Sequence, residues 1–168
     1  KNINLEDVFI DITVDHSKRP TPTYSDYILI AGGLCATIYS KEALIEGCSV
    51  SGKIRLSDIT DAYVGGLIGA VDRDVMYTSS YDTKITKCIN NATITINTIK
   101  EENYDFSRYV GPVIYAGGIV GRFGGRYIQE CANLADISVT AYRDGGVGGI
   151  GGAFNESKTF VGDCLNIG

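Results

Sequence analysis

Tyr115-Ala-Gly-Gly-Ile-Val-Gly121 occurs in four versions along this chain. The others are Ile30-Ala-Gly-Gly-Leu-Cys-Ala36, Tyr63-Val-Gly-Gly-Leu-Ile-Gly69 and Gly146-Val-Gly-Gly-Ile-Gly-Gly152. Each holds a Gly pair, an aliphatic residue, a variable position and then Gly or Ala. A second motif follows every copy: Ile45-Glu-Gly-Cys48, Ile85-Thr-Lys-Cys88, Ile128-Gln-Glu-Cys131 and Val161-Gly-Asp-Cys164. An aliphatic residue stands three before each Cys and a small residue four after it. Asn90, Asn133 and Asn166 stand two after their cysteines, where the first repeat has Val50. A third element comes at fixed offset: Ile54 and Leu56, Ile94 and Ile96, Ile137 and Val139 alternate with polar residues. That period of two marks a half-buried strand.

Repetition at tens of residues marks a solenoid or a propeller. A propeller blade carries four antiparallel strands, and each repeat here supplies three strand-like pieces. Helices are excluded, because several Gly per repeat cost about 1 kcal/mol each in a helix. The reading is all-β: a parallel β-helix (β-solenoid) with three strands per coil and about four coils, in which like residues stack. The coils run about 27–56, 63–96, 113–139 and 146–168, with insertions at 15–26, 70–84 and 97–112. Val8, Ile10, Ile12 and Val14 form a strand of an earlier coil. Together, 1–168 is one domain, expected to be a slice of a longer repeat protein. Exposed strand edges at its ends predict end-to-end self-association.

Composition agrees and excludes several functions. Eleven Tyr and 21 Gly with three Pro and no Trp suit strands joined by tight turns. A formal charge of −5 with interspersed signs argues against nucleic acid. No apolar run is long enough for a membrane span. Four of the five cysteines occupy one repeat position. Stacked strands bring them within about 4.8 Å, yet parallel Cβ vectors make a poor disulfide. The expectation is free, buried thiols, with Cys35 as packing. The Gly pairs suggest a bend or close backbone approach. Stacked Asn90, Asn133 and Asn166 should bond along their column at a corner with left-handed backbone. The spacing between aliphatic residue and Cys predicts a bend there.

The repeats resemble the GLUG motif, carried here by Gly66-Leu-Ile-Gly69 and Gly118-Ile-Val-Gly121 and, in weaker form, by Gly33-Leu-Cys-Ala36 and Gly149-Ile-Gly-Gly152. The resemblance covers about residues 27–168. It implies a secreted or cell-wall, cell-surface bacterial protein, of the kind whose repeats also accompany IgA1-specific metallopeptidases. Such repeats bring no catalytic residues, and the metallopeptidase His-Glu-x-x-His motif is absent here.

Catalytic and metal chemistry finds little support. His16, the lone histidine, cannot supply a zinc site. Gly146-Val-Gly-Gly-Ile-Gly151 matches a dinucleotide fingerprint in letters, but no helix pattern follows it. The sequons at Asn91 and Asn155 read as coincidence. The acids Asp58, Asp61, Asp72, Asp74, Glu101, Glu102 and Asp105 fall in turns or insertions. No cofactor and no metal is expected.

Insertions 15–26 and 97–112 leave the same corner and carry Tyr24, Tyr104, Phe106 and Tyr109, with Tyr27 beside the first. These five residues are the candidate ligand-binding set. They line a groove between two loops or fold back over the sheet. Insertion 70–84, with Met76, Tyr77 and Tyr81, leaves another corner. Three functions stay open. One is a non-catalytic surface module, part of a larger surface protein, acting as rigid spacer and adhesion surface for host protein or glycan. Another is a carbohydrate-active lyase or hydrolase on a β-helix. The last is a mechanical stalk.

Overall fold

A computed structural model describes residues 1–15, 28–40, 42–71, 82–98, 113–141, 145–155 and 159–168. Among them there are strands and turns but no helix. The strands are β1 (Asn4–Thr13), β2 (Ile28–Gly32), β3 (Cys35–Ile38), β4 (Leu44–Glu46), β5 (Ser49–Ile59), β6 (Asp61–Gly65) and β7 (Ile68–Val71). Then come β8 (Lys84–Thr86), β9 (Ile89–Thr98), β10 (Ile114–Gly117), β11 (Val120–Phe123), β12 (Tyr127–Gln129), β13 (Ala132–Asn133) and β14 (Ile137–Thr140). The last are β15 (Gly145–Gly148), β16 (Gly151–Phe154), β17 (Phe160–Gly162) and β18 (Leu165–Asn166).

Every pairing is parallel, and the strands stack into four sheets. The first runs β1-β5-β9-β13-β18, with β14 also on β9; the others run β2-β6-β10-β15, β3-β7-β11-β16 and β4-β8-β12-β17. The architecture is therefore all-β, with parallel strands in stacked sheets, compatible with a β-solenoid. Register follows the repeats. Ile54 and Leu56 face Ile94 and Ile96, which face Ile137 and Val139. Ile10 and Ile12 of β1 face Ile54 and Leu56.

The strand boundaries differ from the sequence reading in an instructive way. Each Gly-Gly segment is two strands in two sheets, because the chain turns at the pair. A Cβ on the first Gly of each pair (Gly32, Gly65, Gly117, Gly148) would meet the carbonyl oxygen three residues later. The Cys motif divides too. Its aliphatic residue belongs to the fourth sheet, and the residues after Cys open the first sheet. The bend between them sits on the residue before Cys: Gly47, Lys87, Glu130 and Asp163 have φ of 65°, 55°, 52° and 53°.

Left-handed backbone thus falls before Cys and not at the asparagines, which lie in or beside strands. Their role is to bond across and along the stack. Asn90 Nδ2 donates to Asn133 Oδ1 at 2.7 Å, and Asn133 Nδ2 donates to Asn166 Oδ1 at 2.8 Å. The same nitrogens donate to the carbonyls of Ala92 and Ala135 at 3.0 and 2.9 Å. Ala92 N–H donates back to Asn90 Oδ1 at 3.0 Å. Asn90 and Asn133 are fully buried, so these bonds replace water. The second Gly of each pair makes room: a Cβ on Gly66, Gly118 or Gly149 would strike the carboxamide of Asn90, Asn133 or Asn166.

The buried apolar side chains form two clusters. One holds Leu67, Ile68, Val71, Ile85, Ile119, Phe123, Ile128 and the buried cysteines. The other holds Ile54, Leu56, Val64, Ile94, Ile96, Ile114 and Ala116. Burial of a whole aliphatic side chain stabilises by about 1.5–3 kcal/mol, so the two clusters supply the main driving force and the asparagines fix the register.

Two predictions follow from the ladder and the corner. Asn133→Leu leaves a buried N–H of Asn90 and the carbonyl of Ala135 without partners, so it should cost about 2–5 kcal/mol in urea unfolding. A cost under 0.5 kcal/mol on the same measurement, roughly that of a surface change, would refute the ladder. At the left-handed corner, Glu130→Gly should raise stability by up to about 1 kcal/mol and Glu130→Val should lower it. Equal midpoints for the two variants would contradict the assigned corner.

Candidate functional surface

The candidate residues Tyr24, Tyr27, Tyr104, Phe106 and Tyr109 lie outside the described residues, as do His16, Asp72, Asp74, Glu101, Glu102 and Asp105. Their flanking strands are described. β1 and β9 belong to the first sheet, β2 and β10 to the second, so both Tyr-bearing segments join the same pair of sheets. The segment after β7 joins the third sheet to the fourth, a different corner.

Two of the candidate acids, Asp58 and Asp61, are described. Asp61 Oδ1 accepts the N–H of Val113 at 2.8 Å, tying the start of β6 to the neighbouring coil. Asp58 occupies a left-handed position with φ of 57°, where β5 shifts register against β9. Among the described residues no three His, Cys, Asp or Glu side chains group as metal ligands, and no helix is long and apolar enough to cross a membrane. Gly146–Gly151 forms β15, a turn and the start of β16, with no helix after it to receive a pyrophosphate.

An outward-facing column on the fourth sheet is the best-defined polar and aromatic surface. Register places Leu44, Lys84, Tyr127 and Phe160 one above another. Each stands four residues before a repeat cysteine, and each adjoins a residue of the inward column Ile45, Ile85, Ile128 and Val161. Alternation along a strand therefore turns the first set outward. Tyr127 and Phe160 rings lie 6.2 Å apart, within pairing range. The Arg126 guanidinium lies 5.1 Å from the Tyr127 ring centre and Lys84 Nζ lies 5.7 Å from it. Asp82 joins both cations, at 3.2 Å to Lys84 and 3.5 Å to Arg126. Beside it, the Thr83 hydroxyl is buried without a hydrogen-bond partner.

This strip presents an aromatic pair whose rings and cations are positioned by their neighbours, on a rigid sheet. The sequence signal was a shared offset from Cys, obscured because the position is aliphatic in one repeat, cationic in the next and aromatic only in the last two. A second column is more enclosed. Tyr63 and Tyr115 stack at 5.6 Å, Arg122 lies 5.1 Å from the Tyr63 ring, and Tyr63 is only 8% exposed. At the first coil, Lys1 pairs with Glu46 at 2.7 Å and holds that carboxyl below its ordinary range.

All five cysteines are free, as expected; Cys48, Cys88 and Cys131 are buried, whereas Cys164 in the last repeat is only partly so. No protein-family model, curated protein or solved structure matches this chain.

Exposed ion pairs and cation–ring contacts each contribute about 1 kcal/mol or less. Lys84→Ala and Arg126→Ala should accordingly each shift the unfolding free energy by no more than about 1 kcal/mol. A loss of several kcal/mol would mean that the strip is committed to holding the fold and is not available to a ligand.

Proposed function

We propose that this chain is a non-catalytic GLUG-type repeat module of a bacterial secreted or cell-surface protein. It acts as a rigid spacer and as an adhesion surface for host protein or glycan. In this reading the chain makes about four coils, each carrying the three repeat motifs. Association with the rest of a parent surface protein, and end to end through strand edges, belongs to the same proposal.

The observation that carries it is the in-register parallel stacking of unlike outer residues over an unbroken inner column. Such a scaffold is stiff along its axis and repeats its outer positions about every 4.8 Å, which suits an extended ligand better than a single small substrate. Tyr127, Phe160 and Arg126 are residue types enriched in recognition surfaces, and Lys84 adds a second cation beside the Tyr127 ring. Tyr24, Tyr27, Tyr104, Phe106 and Tyr109 remain the proposed second contact. The enzymatic alternative is less well supported, because the described Asp61 is engaged with backbone.

A glycan array and a panel of host extracellular proteins, probed with the chain and two double variants, test the proposal. Tyr104→Ala with Tyr109→Ala removes the loop contact, and Arg126→Ala with Phe160→Ala removes the strip. Loss of two interfacial anchors worth about 1–2 kcal/mol each should weaken binding about 30-fold or more. No ligand in either panel, or ligands held equally by the parent and both variants, would overturn the reading.

A further inference from the structure

Cys48, Cys88, Cys131 and Cys164 form a single column. The residues that follow them pair rung by rung: Ser49 with Ile89, Ile89 with Ala132, Ala132 with Leu165. Every Sγ lies against the same kind of carbonyl oxygen, that of the residue two before it. These are Glu46, Thr86, Gln129 and Gly162, at 3.5, 3.2, 3.2 and 3.2 Å. Cys88, Cys131 and Cys164 also meet the carbonyls of Ile45, Ile85 and Ile128 of the preceding coil, at 3.8, 3.7 and 3.8 Å. Two matching distances at successive rungs require one shared rotamer. Sulfurs held alike on in-register parallel strands are spaced as the strands are, about 4.8 Å apart.

That spacing disfavours one chemistry and suits another. A disulfide needs the sulfurs at about 2.05 Å, so both side chains would have to leave their shared rotamer within a packed core. Two metal–thiolate bonds of about 2.3 Å laid end to end span about 4.6 Å, which matches the rungs. An ion midway between two such sulfurs lies about 2.4 Å from each, close to a metal–thiolate bond length, so the rung spacing itself defines its place. No third or fourth ligand converges among the described residues, so an ion that demands four, such as zinc, is not served. Thiolate-only donors select soft ions.

We propose that neighbouring cysteines of this column bind a linear, two-coordinate thiophilic d10 cation as a sulfur–metal–sulfur bridge. Each bridge breaks two S–H bonds and forms two S–metal bonds; two protons leave to solvent and no electron is transferred. A divalent ion yields a neutral bridge, whereas a monovalent one leaves a negative charge in a dry core. The column therefore prefers the divalent ion. Two-coordinate bridges use each sulfur once, so the four thiols hold two ions, Cys48–Cys88 and Cys131–Cys164. The half-exposed Cys164 is the point of entry.

The test titrates the folded chain with mercuric chloride, and separately with silver nitrate, against excess 2-mercaptoethanol. Circular dichroism, native mass spectrometry and X-ray absorption at the metal edge are the readouts. The expected result is two mercury ions per chain, each with two sulfur neighbours, an unchanged β spectrum and weaker retention of silver. Cys164→Ala should reduce the count from two to one, and Cys35→Ala, outside the column, should leave it at two. Cys48→Ala with Cys131→Ala isolates the remaining column thiols and should weaken retention about 100-fold or more, as a second tethered ligand is lost. If that double variant does not fold, the single Cys164→Ala count decides. Loss of the β spectrum on binding, three-sulfur coordination, or a count unaffected by Cys164→Ala would overturn the proposal.

Discussion

Asn90 and Asn133 have no contact with water, so each carboxamide must find all its partners inside the protein. Each finds them in two directions. Along the chain it bonds the residue two ahead, and along the stack it bonds the next asparagine. A slip of one residue between coils would break the bonds along the stack and turn the aliphatic residues outward. The second Gly of each pair is the other half of this constraint, since only a residue without Cβ lets the opposite wall reach the carboxamide. That contact holds the turn at the Gly pair against the strand that carries the asparagine.

Much of this could be read from the repeats. Spacing relative to Cys revealed the inner columns, the parallel stacking, the free thiols and the bonding between Asn90, Asn133 and Asn166. The corner was harder. Lys87 and Glu130 adopt left-handed backbone where Gly47 and Asp163 offer turn-type residues. Tertiary stacking imposes that conformation against local preference. The Gly-Gly segment read as one strand because its flanks are aliphatic on both sides. A turn with no Pro, Asn or Asp leaves little trace in a sequence, and the four sheets became visible only in coordinates.

The outer strip was missed for a related reason. Leu44, Lys84, Tyr127 and Phe160 share a register but not one chemistry, aliphatic, cationic and then aromatic, so a search for four like residues passes over them. Inner positions are held alike by packing, while outer ones are free to differ. In a stacked fold, variation at an otherwise regular position is therefore where binding specificity can be written. The inner cysteine column is the opposite case: uniform side chains, one rotamer and one spacing, with reactivity set by stacking and not by a pocket.

The most direct measurement is a nuclear Overhauser and amide-exchange experiment on the carboxamide groups of the asparagines. In-register parallel stacking predicts cross-peaks from the Asn90 side-chain N–H to Asn133, and from Cys88 to Cys131, with Asn90 and Asn133 amide protons exchanging far more slowly than those of exposed Asn91. Rapid exchange at Asn90 and Asn133, or cross-peaks that pair these segments in antiparallel register, would contradict it.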